Sequence, residues 1–213
     1  EYAGAAGGFI DKYGYPFCRG RIFADLEIDE KQYEEVTDIF WATGAALFIR
    51  AKHFHYAGGF DPDFFAHMEE IDICWRFKGL GFRVMYNPES EVYHVGGGTL
   101  SKENPFKTYL NFRNNLYLLF KNLSPRHFWF TIFKRMILDG IAAFRFVAIL
   151  EFKCAIAIFR AHLHFYKNFK STMEKRKKNL SRFVQLEHKE MYSKSIVFKY
   201  FISKQKTFSQ LKF

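Results

Sequence analysis

Two adjacent carboxylates, Glu69 and Glu70, open a segment of the chain that has helical periodicity. At about 100° per residue, Glu70 falls on one stripe of this helix with the apolar side chains of Ile73 and Phe77. A carboxylate held against apolar surface loses hydration, which raises its pKa toward the range of a general base. Glu70 is therefore a candidate for proton abstraction, and the alternative is an ordinary acidic residue favoured by the helix dipole.

A third carboxylate in the same segment, Asp72, points with Glu69 to a different side of the helix. Arg76 follows Asp72 by four residues, which is the spacing at which opposite charges pair on a helix surface. The sequence thus predicts an ion pair on one side of the helix and a carboxylate against apolar surface on the other.

A second group of candidate ligands follows at His94, Gly96, Gly97, Gly98 and Thr99. His94 ends a predicted strand and opens onto a glycine-rich loop, where an imidazole suits Mn²⁺ and, less well, Mg²⁺. Backbone N–H groups of such a loop can form an anion-binding nest for a diphosphate. A histidine with a structural role is the alternative interpretation.

The elements that must position these groups follow from the same kind of pattern. Residues 40–50 are predicted as a buried strand, in which Thr43 and Gly44 leave room for a ligand or a crossing element. A short helix, Ala51–Tyr56, should end at the two glycines that follow it. Asp61 stands before a proline, which is typical of a turn or cap, and contact with a ligand is the alternative.

A long helix after Asn104 is the other prominent feature, since Asn followed by Pro is typical of a helix start. Arg113 within it could neutralise an anion or be a plain surface arginine. The remaining predicted elements are a loop at 1–20, the main helix at 66–80, strands at 82–86 and 91–95, and this long helix at 105–122.

The segment with the acidic pair reads GGFDPDFFAHMEEIDICWR and resembles the acceptor-side motif of family 2 glycosyltransferases, bacterial rhamnosyltransferase-like members among them. In that family a Gly-Gly-Phe-Asp turn leads to an acidic pair, whose second acid is the general base that deprotonates the acceptor hydroxyl. The resemblance implies this role for Glu70, with Glu69 beside it, although Asp is commoner at this position. The residues implied to bind the acceptor or substrate are Thr43, Gly44, Asp61, Asp72 and Trp75.

The resemblance extends through YHVGGGT and YLNFRNNLYLLFKN and covers about residues 1–123. It implies an α/β fold, the acceptor-side half of a GT-A-like nucleotide-diphospho-sugar transferase domain. The implied reaction is inverting transfer from a nucleotide-sugar donor to a glycan or lipid-linked acceptor. Because the nucleotide-binding half of the family has no counterpart here, we expect a fragment that is not active alone. The resemblance also implies that His94 is a ligand of a divalent cation. The residues implied to bind the diphosphate are Gly96, Gly97, Gly98, Thr99 and Arg113.

The net charge of +10 is unevenly distributed along the 213 residues. Residues 167–213 hold 13 Lys or Arg and 3 Glu, so this stretch supplies the whole excess. A basic tail suits anionic lipid headgroups. The three cysteines are odd in number and widely spaced, which predicts no disulfide framework. Residues 128–150 are long enough to span a bilayer, but charges interrupt them at Lys134, Arg135, Asp139 and Arg145.

We therefore predict that residues 124–213 are α-helical and associate peripherally with an anionic membrane surface, on the cytoplasmic face of the cell membrane. Helices that pack on the catalytic domain are the structural alternative. A non-catalytic membrane or scaffold module is the functional alternative. Nucleic acid is not expected as a partner, because the tail has no recognisable nucleic-acid-binding motif.

Overall fold

The computed structural model describes residues 6–93 and 104–213, and over these residues the chain is a mixed α/β structure. The predicted α/β class is thus confirmed, whereas the GT-A-like arrangement stays a prediction. The strands are β1 (Gly8–Asp11), β2 (Pro16–Cys18), β3 (Arg21–Ile22), β4 (Asp25–Leu26), β5 (Thr37–Asp38), β6 (Met85–Tyr86) and β7 (Met191–Tyr192). The α-helices are α1 (Ala51–Tyr56), α2 (Glu69–Gly79), α3 (Pro105–Asn122), α4 (Phe128–Ala148), α5 (Phe152–Lys167), α6 (Phe169–Leu180) and α7 (Ile196–Phe201).

A five-stranded sheet has the order β4-β3-β2-β1-β7, and β5 pairs with β6 in a second, two-stranded sheet. β1 runs antiparallel to β2 and parallel to β7, where Ile10 faces Met191. Residues 1–20 were predicted as a loop, and this is wrong, because they contain the hairpin of β1 and β2. The glycines favoured a loop, but Gly8 is required for packing: a Cβ there would lie 2.3 Å from the Trp41 ring.

Residues 40–50 do not form the buried strand that the sequence predicts. Trp41 makes an isolated bridge to Gly8, and Gly44–Ala46 then forms a 3₁₀ turn with Thr43 as its N-cap. The small residues at the centre of this segment lack the β-branched and aromatic side chains that favour a strand. The segment therefore runs as an irregular wall instead of joining a sheet.

Helix α2 lies between two hydrophobic clusters and is buried on nearly all sides. Ile71 and Trp75 pack with side chains of α3, α4 and α5 in one cluster. Ile73 and Phe77 pack with the five-stranded sheet in the other. The predicted apolar stripe is confirmed, but the opposite side is buried as well, so the charged residues of α2 need partners.

Helix α3 is the centre of the helical half, and α4, α5 and α6 pack against it. The predicted start of α3 is confirmed, since the Asn104 side chain accepts a backbone N–H bond of 2.8 Å. Of the helices in the described parts of the chain, none has the length and apolarity needed to cross a bilayer. Phe120 of α3 contacts one ring from each of the three packed helices: Phe128, Phe165 and Phe169.

The basic tail folds back onto the rest of the protein. β7 joins the sheet beside β1, and the Asp11 carboxylate accepts the Ile196 N–H at 2.9 Å. The buried Lys78 of α2 contacts Glu190 at 3.0 Å. These contacts cross the boundary predicted at residue 123, because the last part of the chain completes the sheet and covers α2.

The hairpin of α4 and α5 projects beyond this packed region. The last buried side chain of α4 is Asp139, and every residue from 140 to 153 is exposed or half-buried. We call residues 140–153 the apolar tip. Its large apolar side chains, with exposed fractions between 52 and 75%, include Ile141, Phe144, Leu150 and Phe152.

A network of buried charges joins α2 to α3. The fully buried Asp72 carboxylate accepts bonds from Arg76, Lys121 and Asn122 at 2.8 to 2.9 Å. Lys121 also contacts Asp61 at 2.5 Å, and Asp61 is the N-cap of the 3₁₀ turn Pro62–Phe64. The predicted pair of Asp72 and Arg76 is confirmed, and its burial makes it part of the core and not of a solvated face.

We expect Asp72→Asn to destabilise the protein by about 3 to 5 kcal/mol, because it leaves Arg76 and Lys121 buried without full compensation. Asp38→Asn is the matched control: Asp38 pairs with the exposed Arg83, and exposed pairs contribute about 0 to 1 kcal/mol. Urea unfolding followed by circular dichroism measures both losses. Equal losses in the two variants would contradict the role of this network.

Candidate active site

Three of the four residues just before the acidic pair are non-glycine residues with positive φ. Phe65, His67 and Met68 have φ values of 62°, 67° and 75°, and each such conformation costs on the order of 1 kcal/mol or more. Positive φ at Met68 makes Glu69 the first residue of α2, so the helix begins three residues later than predicted. Backbone strain that is concentrated before two carboxylates marks this loop as a candidate functional site.

Two buried side chains of α3 hold this strained loop. Asn114 donates to the carbonyl oxygens of Phe64, Ala66 and His67 at 2.7 to 2.8 Å. Arg113 donates to two carbonyl oxygens of the same loop at 2.8 and 3.0 Å, and to Asn114 at 2.9 Å. In this structure the Arg113 guanidinium therefore positions the loop and does not extend toward a ligand.

Glu70 is half-buried in the first turn of α2. Burial raises the pKa of Glu70 to about 7, and the charge of Glu69 adds to the rise, while backbone hydrogen bonds at the helix start act against it. One Glu70 oxygen, Oε2, is buried and has no hydrogen-bond partner among the described residues. The rise that the sequence predicts agrees with this burial. Glu69 Oε2 is likewise buried without a hydrogen-bond partner among the described residues.

A cleft of about 560 Å³ is lined by Cys74 and Phe77, which follow the first turn of α2. Its walls come from the glycines that begin β1, from much of segment 41–50 and from β6. Cys18 and Cys74 line the cleft, whereas Glu70 is not among its lining residues. The charge of Glu70 acts on the pKa of both thiols, so Glu70 lies near the cleft. Burial raises the pKa of each thiol to about 12, which makes neither cysteine a nucleophile at neutral pH.

The predicted acceptor residues are not all brought together at this cleft. Thr43 lines the cleft, and Gly44 beside it is exposed. Trp75 is 1% exposed and packs edge-on against Phe40 in the core. Like Asp72, Trp75 presents no surface to a substrate in this structure, and both residues support α2 instead.

Asp61 is part of the charge network and is not free at the cleft. Its carboxylate contacts Lys121 at 2.5 Å and Lys175 at 2.6 Å. Burial acts to raise the pKa of Asp61, but the two lysines outweigh burial and lower the pKa to about 2. The same carboxylate accepts the Asp63 N–H at 3.1 Å, so the predicted cap is confirmed.

His94, Gly96, Gly97, Gly98 and Thr99 lie outside the described residues. Within residues 6–93 and 104–213, no cluster of three or more His, Cys, Asp or Glu side chains could hold a metal ion. The described residues therefore supply no ligand set for the divalent cation. Both the cation site and the diphosphate loop stay predictions.

Sequence reasoning missed the roles of Asn114, Lys121 and Asn122 on α3. Their buried contacts go to Phe64 and Asp72, each about 50 residues earlier in the chain. Polar side chains within an apolar helix did signal buried hydrogen bonds. Helical spacing cannot identify partners on another element, so the hydrogen bonds from Asn114 to the strained loop could not be predicted.

Comparison with characterised proteins finds short similarities to rhamnosyltransferases. The chain is 37% identical over 54 residues to N-acetylglucosaminyl-diphospho-decaprenol L-rhamnosyltransferase of Mycobacterium tuberculosis, which is 25% of this chain and 18% of that protein. It is 33% identical over 58 residues to rhamnosyltransferase WbbL of Escherichia coli K12, which is 27% of this chain and 22% of that protein. The aligned part thus spans about a fifth of the length of the curated relatives that it matches.

No family model and no solved structure matches the chain. The partial similarities point, at the level of the family only, to a glycosyltransferase-like function. They leave the donor and the acceptor undefined.

We expect Glu70→Gln to stabilise the protein at pH 8 and to have little effect at pH 5. The folded state holds the Glu70 proton more tightly than the unfolded state, with a pKa of about 7 against 4.5. The stability from that proton is present below about pH 4.5 and is lost as the pH rises through about 7. A neutral glutamine avoids the loss, which amounts to roughly 3 kcal/mol at most.

Urea unfolding at pH 5 and pH 8 measures this difference. The matched control is Glu89→Gln, because Glu89 is an exposed glutamate in the turn after β6. A Glu70→Gln effect that is the same at both pH values would show that burial does not raise the pKa of Glu70.

Proposed function

We propose that this chain carries the acceptor side of an inverting glycosyltransferase with Glu70 as the general base. The observation that carries the proposal is the Glu70 carboxylate, which lies near the cleft, has a pKa raised to about 7 and has one buried oxygen without a hydrogen-bond partner among the described residues. The partial similarity to two rhamnosyltransferases supports the same class of reaction. The proposed donor is a nucleotide-diphospho-sugar, and the proposed acceptor is a hydroxyl of a glycan or lipid-linked saccharide.

In the proposed reaction, Glu70 takes the proton of the acceptor hydroxyl as its oxygen attacks the anomeric carbon of the donor. The new carbon–oxygen bond forms as the bond to the nucleoside diphosphate breaks, and the diphosphate leaves with the electron pair. A base with a pKa near 7 is partly ionised at neutral pH and still accepts a proton readily. Glu69 contributes its negative charge, which helps to keep the pKa of Glu70 high.

We expect Glu70→Gln to reduce sugar transfer at least about 100-fold in the natural protein that contains this chain, because the base is lost. Donor binding should be nearly unchanged. Glu69→Gln is the matched variant and should be milder: it lowers the pKa of Glu70, so the rise of activity with pH should move to lower pH. Initial rates across pH 5 to 9 and calorimetric donor titrations measure these effects.

The assignment fails if Glu69→Gln is the inactive variant and Glu70→Gln keeps full activity. If neither substitution changes any transfer that is found, the acidic pair has a structural role. A non-catalytic scaffold is then the better interpretation.

A divalent cation, Mn²⁺ or Mg²⁺, is a further part of the proposal and rests on the sequence of His94 before Gly96. When bound, such an ion would supply charge stabilisation to the donor diphosphate. Gly96, Gly97, Gly98 and Thr99 could add backbone N–H groups. Arg113, by contrast, is held by the strained loop, so a role at the diphosphate would require it to release those contacts.

We expect His94→Ala to weaken the binding of a nucleoside diphosphate in the presence of Mn²⁺ and to leave binding without the metal unchanged. The reason is the loss of one imidazole ligand. Calorimetry with and without Mn²⁺ measures this, and His55→Ala, which removes an exposed histidine of α1, is the control. The same dependence on Mn²⁺ in the parent and in His94→Ala would return His94 to a structural role.

An anionic membrane surface on the cytoplasmic face of the cell membrane is the proposed location. The charge excess of residues 167–213 and the exposed apolar side chains of the α4–α5 hairpin support it. The tail is only partly available, however. Lys175 is paired with Asp61. The buried Arg176 donates to the carbonyl oxygen of Phe120 in α3 at 2.9 Å and to that of Leu123, just after α3, at 2.7 Å.

We expect binding to anionic vesicles to weaken, without disappearing, as salt rises, because salt screens charges but hardly affects apolar insertion. Replacement of the exposed Lys177 and Lys178 by Gln should weaken binding at low salt by about 1 kcal/mol for each charge. Vesicle pelleting measures it. Equal binding to neutral and anionic vesicles would exclude the electrostatic part of the proposal.

A further inference from the structure

A groove of about 370 Å³ runs between the first turns of α3 and helix α5. Its lining offers three side chains that can bind an anion, Lys153, Arg160 and His164, all of them exposed. None of the described lining residues is acidic. Phe106 and Ile156 supply apolar surface beside these nitrogen groups. The groove thus combines anion-binding groups with apolar walls.

The groove is continuous with the apolar tip. Lys153 is the last residue of the tip and also lines the groove. Arg160 follows two helical turns later, at about 10 Å along α5. The polar headgroup layer of one leaflet is roughly 5 to 8 Å thick. A tip that lies at the boundary of the acyl chains would therefore bring Lys153 and the groove to the level of the lipid phosphates.

The charges of this region match a phosphate-bearing surface. Residues 104–180 carry 15 Lys or Arg and 3 acidic residues, and 11 of the basic residues are exposed or half-buried, since Arg113, Lys121, Arg135 and Arg176 are buried. Of the three acids, Asp139 is buried and paired with Arg135 at 2.7 Å. Glu151 lies in the apolar tip, so the tip suits the membrane interface and not the bilayer centre, where a carboxylate is costly. Around the groove, positive charge is in clear excess.

The groove also lies close to the acidic pair. Phe106 in its wall contacts the ring of Phe65 at a centroid distance of 6.2 Å, and Phe65 belongs to the strained loop. In the same loop, His67 has a pKa that is lowered first by burial and then by the charge of Lys107, while Glu69 acts in the opposite direction. Lys107 is in the first turn of α3, whose Phe106 lines the groove, so this turn is near both the groove and the loop before the acidic pair.

We infer that this groove binds the phosphate headgroup of a membrane lipid whose chains lie against the apolar tip. The ligand class is a lipid with a phosphate monoester or diphosphate, bound through Lys153 and Arg160. Continuity with the tip selects a lipid over a soluble phosphate. The inference deepens the proposed function and rests on it in one respect: such a lipid would be the anchor of the acceptor whose hydroxyl reaches Glu70.

Flotation of the natural protein with vesicles tests the groove directly. Phosphatidylcholine vesicles carry either phosphatidate, a phosphate monoester, or phosphatidylserine at matched surface potential. We expect tighter binding to phosphatidate. Lys153→Gln with Arg160→Gln should remove that preference. Two charges near the surface contribute about fivefold each on either anionic vesicle, and on phosphatidate vesicles the loss should be larger than this.

Two further variants serve as controls. Lys134→Gln with Lys170→Gln removes two exposed charges outside the groove, and should weaken binding to both anionic vesicles equally while the preference stays. Lys153→Arg with Arg160→Lys keeps both charges and should keep the preference. Because the exchanged side chains are exposed, circular dichroism should show that all variants fold.

Three outcomes overturn the inference. The first is no preference for phosphatidate, and the second is an equal loss in the groove variant and in the outside variant. The third is displacement from phosphatidate vesicles by millimolar glycerol 3-phosphate, which would make the groove a site for a soluble phosphate. Transfer assays distinguish a failure of the groove inference from a failure of the proposed function. If the protein transfers sugar to a water-soluble acceptor but shows no headgroup preference in flotation, only the groove inference is rejected. Headgroup preference without any transfer rejects the proposed reaction alone.

Discussion

The buried carboxylate of Asp72 is the interaction on which the geometry of the proposed active site depends. A buried charge is unfavourable unless it is paired, so Arg76 and Lys121 must stay beside Asp72, and each of them reaches a further group. Arg76 donates to two carbonyl oxygens of the turn after α1, and Lys121 contacts Asp61. The turn, the 3₁₀ cap and α3 are thereby all fixed relative to a point on α2 that is two residues from Glu70.

Two acids on one helix thus have opposite environments. Burial acts to raise the pKa of Asp72, but Lys121 and Arg76 outweigh it, so the pKa is lowered and the carboxylate is ionised at neutral pH. At Glu70 burial dominates and no cation of the described residues compensates it, so the pKa rises to about 7. A pair of carboxylates with divergent environments allows one to hold the structure and the other to exchange a proton.

Features encoded by local spacing could be predicted from the sequence. The Asn104 cap, the pair of Asp72 and Arg76 and the burial of Glu70 all depend on residues within one or two helical turns. The contact of Lys121 with Asp72 could not be predicted, because 49 residues separate the two and no periodicity connects them. Segment 40–50 was misread for a similar reason, since its apolar residues face a cleft and not a neighbouring strand.

The parallel pairing of β1 with β7 has a consequence for biosynthesis. Ile10 and Met191 are neighbours in the sheet although about 180 residues separate them, so the ribosome makes β1 early and its partner much later. At synthesis rates of 5 to 20 residues per second, the edge of β1 stays without this partner for roughly 10 to 35 s. An uncovered strand edge is a template for association with other chains. During that interval the nascent chain depends on chaperones or on rapid burial of β1 by its own hairpin.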